Sequence, residues 1–128
     1  MDSGIFIAAL SRADAWHAKA RALLGGTTHV AHTSLLVVGE TYAWFLHRHG
    51  EEAARTFRKF VASLDGLSIL EITLDHHREV VSMLDRLRGS RLTSVDASSL
   101  CFIEQHRIRR VWATDHHMGL TGAQVVPA

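Results

Sequence analysis

Short apolar runs alternate with longer helix-patterned segments along the whole chain, and that alternation most restricts what it can fold into. Segments at 28–31, 67–72, 109–113 and 123–126, each with apolar residues, are about the length of a strand, and helical periodicity fills the intervals. A strand followed by a helix and another strand returns most simply as a parallel neighbour, so the pattern predicts an α/β fold with a parallel sheet. Local signals punctuate it. Residues 3–11 read as a short helix. Asp14 is placed to cap a helix over 15–24 that Gly25-Gly26 stops. Thr33 or Ser34 caps a long helix over 34–49, and Gly50 ends it. A helix over 51–64 carries Glu51 and Glu52 in its first turn, where acids favour the helix dipole. Thr73 caps a helix to about 87, and Thr93 or Ser94 opens another to about 106. With 128 residues, a single domain over 1–128 is expected, large enough to bury roughly two-thirds of its unfolded surface.

Four carboxylates lie in or beside apolar segments of this pattern: Asp2, Glu40, Asp96 and Asp115. Glu40 is the hardest to explain structurally. Its helical neighbours one turn away are Leu36, Val37, Ala43 and Trp44, none of them basic. A carboxylate in such company costs several kcal/mol, on the order of a buried polar group, unless a cation or hydrogen bonds compensate it. The other three have plain alternatives. Thr93-Ser94-Val95-Asp96 fits a capping box with Asp in place of Glu, Asp2 can cap the helix after it, and Asp115 can cap a turn over 116–120. Should the four converge at one end of a parallel sheet, they would suit a divalent cation.

The segments that carry these acids are Asp2-Ser3-Gly4 opening an apolar helix, Glu40 inside a helix, Leu92-Thr93-Ser94-Val95-Asp96-Ala97, and Ala113-Thr114-Asp115-His116-His117. In that order, with the closing Gly122-Ala123-Gln124-Val125-Val126-Pro127, the chain resembles the PIN-domain family, specifically the VapC-type toxins of toxin–antitoxin pairs. The similarity covers essentially the whole chain, and its specificity lies in the ordered set, since no single motif is specific. The resemblance implies a PIN-like three-layer α/β/α sandwich with a short twisted parallel sheet, strand order 3-2-1-4-5, and the acids at the C-terminal edge. It implies a Mg²⁺- or Mn²⁺-dependent endoribonuclease that hydrolyses RNA phosphodiesters by metal-activated water. One or two ions would be held by Asp2, Asp96 and Asp115, with Glu40 binding directly or through water. The implied partners are a structured RNA such as transfer RNA, a small VapB-like antitoxin and a second copy of the chain, and the implied location is the cytoplasm. In one respect the chain departs from the pattern. Only Met1 precedes Asp2, so the first strand reads as cut short ahead of Asp2. The alternative, a non-catalytic PIN-like RNA-binding module, would show loss of one or more acids, and all four are present.

Candidate RNA contacts are Arg86, Arg88 and Arg91, because their loop leads towards Asp96, together with His116 and His117 beside Asp115; a solvated surface is the plain reading of each. Ten histidines raise a zinc question, but His76-His77 and His116-His117 are adjacent pairs, and neighbours on a helix point about 100° apart. No His-Glu-x-x-His or cysteine pair is present. A formal charge of +1 neither demands nor excludes nucleic acid. The single Cys101 rules out an intrachain disulfide and suits a reducing compartment. There is no Gly-x-Ser-x-Gly elbow, no P-loop, no secretory signal, and no apolar run near the roughly 18 residues of a membrane span. A receiver-type domain needs a lysine late in the chain, and the lysines here are Lys19 and Lys59. Trp16, Trp44, Phe45, Phe57 and Phe60 fall at helical spacing and are core or dimer-interface candidates.

Overall fold

The structure, a computed structural model, describes residues 1–25 and 31–127. The elements run α1 (Ser3–Leu10), α2 (His17–Gly25), β1 (Ala31–Ser34), α3 (Leu35–His49), α4 (Glu51–Ser63), β2 (Leu67–Leu70), α5 (Leu74–Arg86), α6 (Ser94–Gln105), β3 (Arg110–Trp112), a 3-10 turn (His116–Gly119) and β4 (Gln124–Val126). The caps expected at Ser34 and Thr73 are in place: Ser34 Oγ accepts from Val37 N at 3.2 Å and Thr73 Oγ1 from His76 N at 3.0 Å. Asp14 does not cap α2, which begins at His17 and not at 15; its carboxylate accepts from Trp16 N at 2.8 Å within the turn that precedes the helix. Gly50 turns α3 into α4 with φ +90°, a left-handed conformation that costs glycine little.

The strands differ in length from the expected runs, for reasons visible in the pairing. Of the run 28–31, residues 28–30 lie outside the described residues; the described strand continues to Ser34, where the α3 cap ends it. Ser34 is the last position of β1 and pairs with Leu70, so β2 stops there and residues 71–73 run on without a partner strand. Of the run 109–113, only Arg110–Trp112 pairs in register with Gln124–Val126.

Both strand pairs, β1–β2 and β3–β4, are parallel. Residues 1–2 join them. The Met1 amine donates to His32 O at 2.7 Å, Thr33 Oγ1 donates to Met1 O at 2.9 Å, and Asp2 N donates to Trp112 O at 2.8 Å. Counting this dipeptide as the first strand, the order across the molecule is 3-2-1-4-5. β1 and β3 both line a cavity of about 450 Å³. Its walls include Met1, Asp2, His32, Thr33, Arg110 and Trp112.

Successive residues of a strand point to opposite faces, and β3 shows where its two faces lead. Val111 packs with Val80, Met83, Leu100 and Met118 of α5, α6 and the 3-10 turn, whereas Trp112 packs with Ile5, Ala8, Ala9 and Ala20 of α1 and α2. Helices thus cover both faces. A third cluster, Phe6, Val37, Phe45, Ala54, Phe57 and Val61, ties α1 to the α3–α4 pair. Phe57 sits between Phe6, edge-on at 5.6 Å, and Phe45, stacked at 5.5 Å. Cys101 is a buried member of the α5–α6 core, and burial pushes its thiol up to about 11. Among the described residues, no helix is long and apolar enough to cross a membrane.

Candidate functional site

Asp2 pairs with Trp112 through its backbone and directly precedes α1, at the end of the sheet where β1 gives way to α3. It is 6% exposed. Its side chain caps nothing, and its Oδ1 is buried without a hydrogen-bond partner. Burial is the main force that raises its carboxyl to about 6; the charges of Glu40 and Asp96 raise it further, while the Ser3 amide and the Met1 amine act the other way. The amine itself is pulled down to about 6 by burial.

Two acids from distant parts of the chain, Glu40 and Asp96, are therefore within electrostatic reach of Asp2. Glu40 comes from the middle of α3, whose buried face is set by Val37, Thr41 and Phe45, and it is half-buried beside that face. Asp96 comes from the first turn of α6, where the capping box forms: Thr93 Oγ1 accepts from Asp96 N at 3.1 Å, and Asp96 Oδ2 accepts from Thr93 N at 3.3 Å. The structural role and the site role do not compete. The box fixes Asp96 through one carboxylate oxygen and leaves Oδ1 outside it.

Asp115 is placed differently. It lies three residues beyond Trp112, the partner of Asp2, and so at the same end of the sheet. Thr114 packs directly on α1, where a Cβ added to Gly4 would run into its side chain. Yet the charges that raise Asp2 are those of Glu40 and Asp96, and Asp115 is not among them. Its carboxylate turns into its own chain, accepting from His117 N at 2.9 Å as the cap of the 3-10 turn.

The basic candidates are spread out. Arg86 lies at the C-terminal end of α5 and pairs with Glu104 at 2.9 Å. Glu104 is eight residues along α6 from Asp96, roughly 12 Å of helix, so Arg86 stands away from the acids. Arg88 and Arg91 are exposed on the connection that returns to Thr93, and Arg91 has φ +57°. His116 is exposed and His117 half-buried.

One polar pair escaped sequence reasoning. His76 Nε2 and Ser98 Oγ lie 2.6 Å apart, both buried between α5 and α6, with the imidazole stacked on Phe102 at 3.9 Å. Burial lowers the His76 pKa, which keeps it neutral. The signal was present in His76, Val80 and Met83, which repeat at helical spacing on one face.

Comparison with known proteins identifies the fold. The sequence profile of the PIN domain matches residues 1–122. Among solved structures, the chain is similar to Mycobacterium tuberculosis VapC20, described as a sarcin–ricin loop cleaving toxin. The TM-score is 0.86 and the identity 25%, over 95% of this chain and 93% of that one. No curated protein sequence is significantly similar.

Proposed function

The chain belongs to the PIN-domain family, and from that premise we propose that it is a divalent-metal-dependent endoribonuclease, the VapC-type toxin of a toxin–antitoxin pair. One observation carries the reading: buried Asp2, at a sheet end, feels the charges of Glu40 and Asp96 and has an oxygen with no partner. A buried orphan oxygen costs about 1–3 kcal/mol, and a hard cation satisfies it.

The donors fit Mg²⁺ or Mn²⁺, which prefer carboxylate oxygen. Asp2, Asp96 and Glu40 would hold one ion. Asp115, at the same sheet end, would join them or serve a second ion once its carboxylate is drawn from its turn. A bound divalent ion supplies Lewis-acid activation of water and neutralises charge at the scissile phosphodiester. Asp2 sets a proton condition on binding: below about 6 its carboxyl holds a proton that the cation must displace. The capping box keeps Asp96 aimed without spending both its oxygens. Exposed Arg88 and Arg91 and the His116-His117 turn are the groups we assign to the phosphate backbone.

The substrate class we propose is a structured RNA such as transfer RNA; the similar VapC20 is described as cleaving a different structured RNA, the sarcin–ricin loop. The uncompensated acids suit inhibition by a small VapB-like antitoxin that puts an arginine or lysine into the cleft. We further propose a homodimer acting in the cytoplasm. The test is cleavage of a transfer RNA transcript by purified protein, first in chelator and then with Mg²⁺ restored. Wild type should be silent in chelator and active with Mg²⁺, while Asp96→Asn and Asp115→Asn lose most activity with Mg²⁺ and keep their fold. Near-normal cleavage by either variant would overturn the assignment.

A further inference from the structure

The tightest group of potential ligands among the described residues is not the three-acid cluster. It is Asp115, His116 and His117, each of which offers a ligand atom within 4.8 Å of the others. Two imidazole nitrogens approach one oxygen: His117 Nδ1 is 2.8 Å and His116 Nδ1 3.7 Å from Asp115 Oδ1. The rings stack with centroids 4.4 Å apart and planes 29° from parallel. The divergence of helical neighbours does not apply here, because the residues lie on a short 3-10 turn whose cap is the same aspartate. That cap bond, His117 N to Asp115 Oδ1, fixes the oxygen that both ring nitrogens approach.

A hydrogen bond is the simplest rival explanation for the close nitrogen. Although His117 Nδ1 is 2.8 Å from the oxygen, it is buried and makes no hydrogen bond. The oxygen lies off the direction in which the ring nitrogen points. A shared ion asks for that arrangement, since each donor then points at a spot beside its neighbour. Two ligands about 2.1 Å from one ion, at angles between octahedral and tetrahedral, lie roughly 3.0–3.4 Å apart. The two separations fall either side of that range. Two imidazoles and one carboxylate select the borderline transition ions Zn²⁺, Co²⁺ and Ni²⁺ over Mg²⁺ or Ca²⁺, which favour an all-oxygen set.

We propose that Asp115, His116 and His117 form a second metal site, distinct from the Asp2 cluster, that takes a borderline transition ion of the Zn²⁺ class. The His116 side chain is 87% exposed, so the remaining coordination positions face solvent. The site does not rest on the nuclease reading: it uses Asp115 as it stands in its turn, whereas that reading draws the carboxylate out, so the two are alternative occupancies of one residue.

Metal-stripped protein is titrated with Co²⁺, followed by its visible ligand-field absorption, and with Zn²⁺ in a calorimeter. Wild type is compared with His116→Ala, with His116→Ala/His117→Gln, and with Asp2→Asn. Wild type and Asp2→Asn should bind one equivalent that excess Mg²⁺ does not displace. His116→Ala should bind it more weakly, and the double variant should lose it. Other histidines that bind ions would do so equally in all four proteins and would cancel. The proposal fails if the double variant binds as wild type does, if Mg²⁺ competes on equal terms, or if Asp2→Asn abolishes the equivalent. His116→Ala keeps the test decisive should the double variant unfold, because that residue lies at the surface.

Discussion

Asp2 should make the metal-free protein less stable as pH rises through the weakly acidic range, and Asp2→Asn should remove that loss. In the unfolded chain the carboxyl has its ordinary value of 3.8; in the fold it sits at about 6. Between those values the folded protein holds a proton that the unfolded chain has released, so stability falls as pH rises. The contribution is intact below about 4 and gone above about 6. At about 1.4 kcal/mol for each tenfold change in the ionisation equilibrium, the gap amounts to roughly 3 kcal/mol, on the order of 10 °C in melting temperature for a domain of this size. The Met1 amine works in the opposite sense over a higher window. Its folded value is about 6 against an ordinary 8.0, so stability recovers as pH rises from 6 to 8. His76 also costs stability on acidification, because burial lowers its pKa and the unfolded imidazole takes up the proton first. Wild type and variant share the His76 effect, so their difference at each pH reports Asp2 together with its coupling to the Met1 amine, whose pKa the Asp2 charge raises. Urea melts in chelator should give similar stabilities near pH 4 and a variant more stable by about 1–3 kcal/mol at pH 7.5, the lower figure allowing for unpartnered amide atoms. Saturating Mg²⁺ should reverse the order, since a ligand at 100 times its dissociation constant adds about 2.7 kcal/mol to a fold that binds it. A difference that does not change with pH would refute the argument that a buried, crowded charge sits at Asp2.

Glu40→Gln should narrow the gap between the chelated and Mg²⁺-saturated melting temperatures, chiefly by raising the chelated one; equal gaps in variant and wild type would place Glu40 outside the metal site. Ser98→Ala should cost about 1–3 kcal/mol, because it leaves His76 Nε2 without its 2.6 Å partner in a buried position, and unchanged urea melts would show that the pair contributes nothing net.

Much of the fold could be read from residues whose physics is local. Thr73, Ser34 and Thr93 cap helices because their hydroxyls accept free amides one turn on, which needs no knowledge of the rest of the chain. Glu40 was equally legible, since its apolar neighbours lie on the same helix. The hidden part was what depends on partners distant in sequence. Whether Asp115 joins the other acids depends on a side-chain rotation that its own cap bond decides. The His76–Ser98 contact depends on the α5–α6 docking, which spans 22 residues. The ends of β1 and β2 are set by each other, through Ser34 opposite Leu70, so neither strand could be measured alone.

The cavity between β1 and β3 has a practical consequence for handling the protein. Met1 forms part of its wall, and the amine hydrogen-bonds His32 O at 2.7 Å. A residue joined ahead of Met1, as in an affinity tag or after acetylation, replaces that amine with an amide and enters the space between two strand edges. An apolar extended leader would find backbone partners there, as a strand does in any sheet. A bulky polar one would meet Trp112, Ile103 and Phe102 instead and push on the residue next to Asp2. Val126, by contrast, ends a strand at the outer edge of the sheet. Fusions at the two ends of this chain are therefore not interchangeable, and comparing the same assay with the tag at either end would reveal how far the N-terminal junction governs the acid cluster.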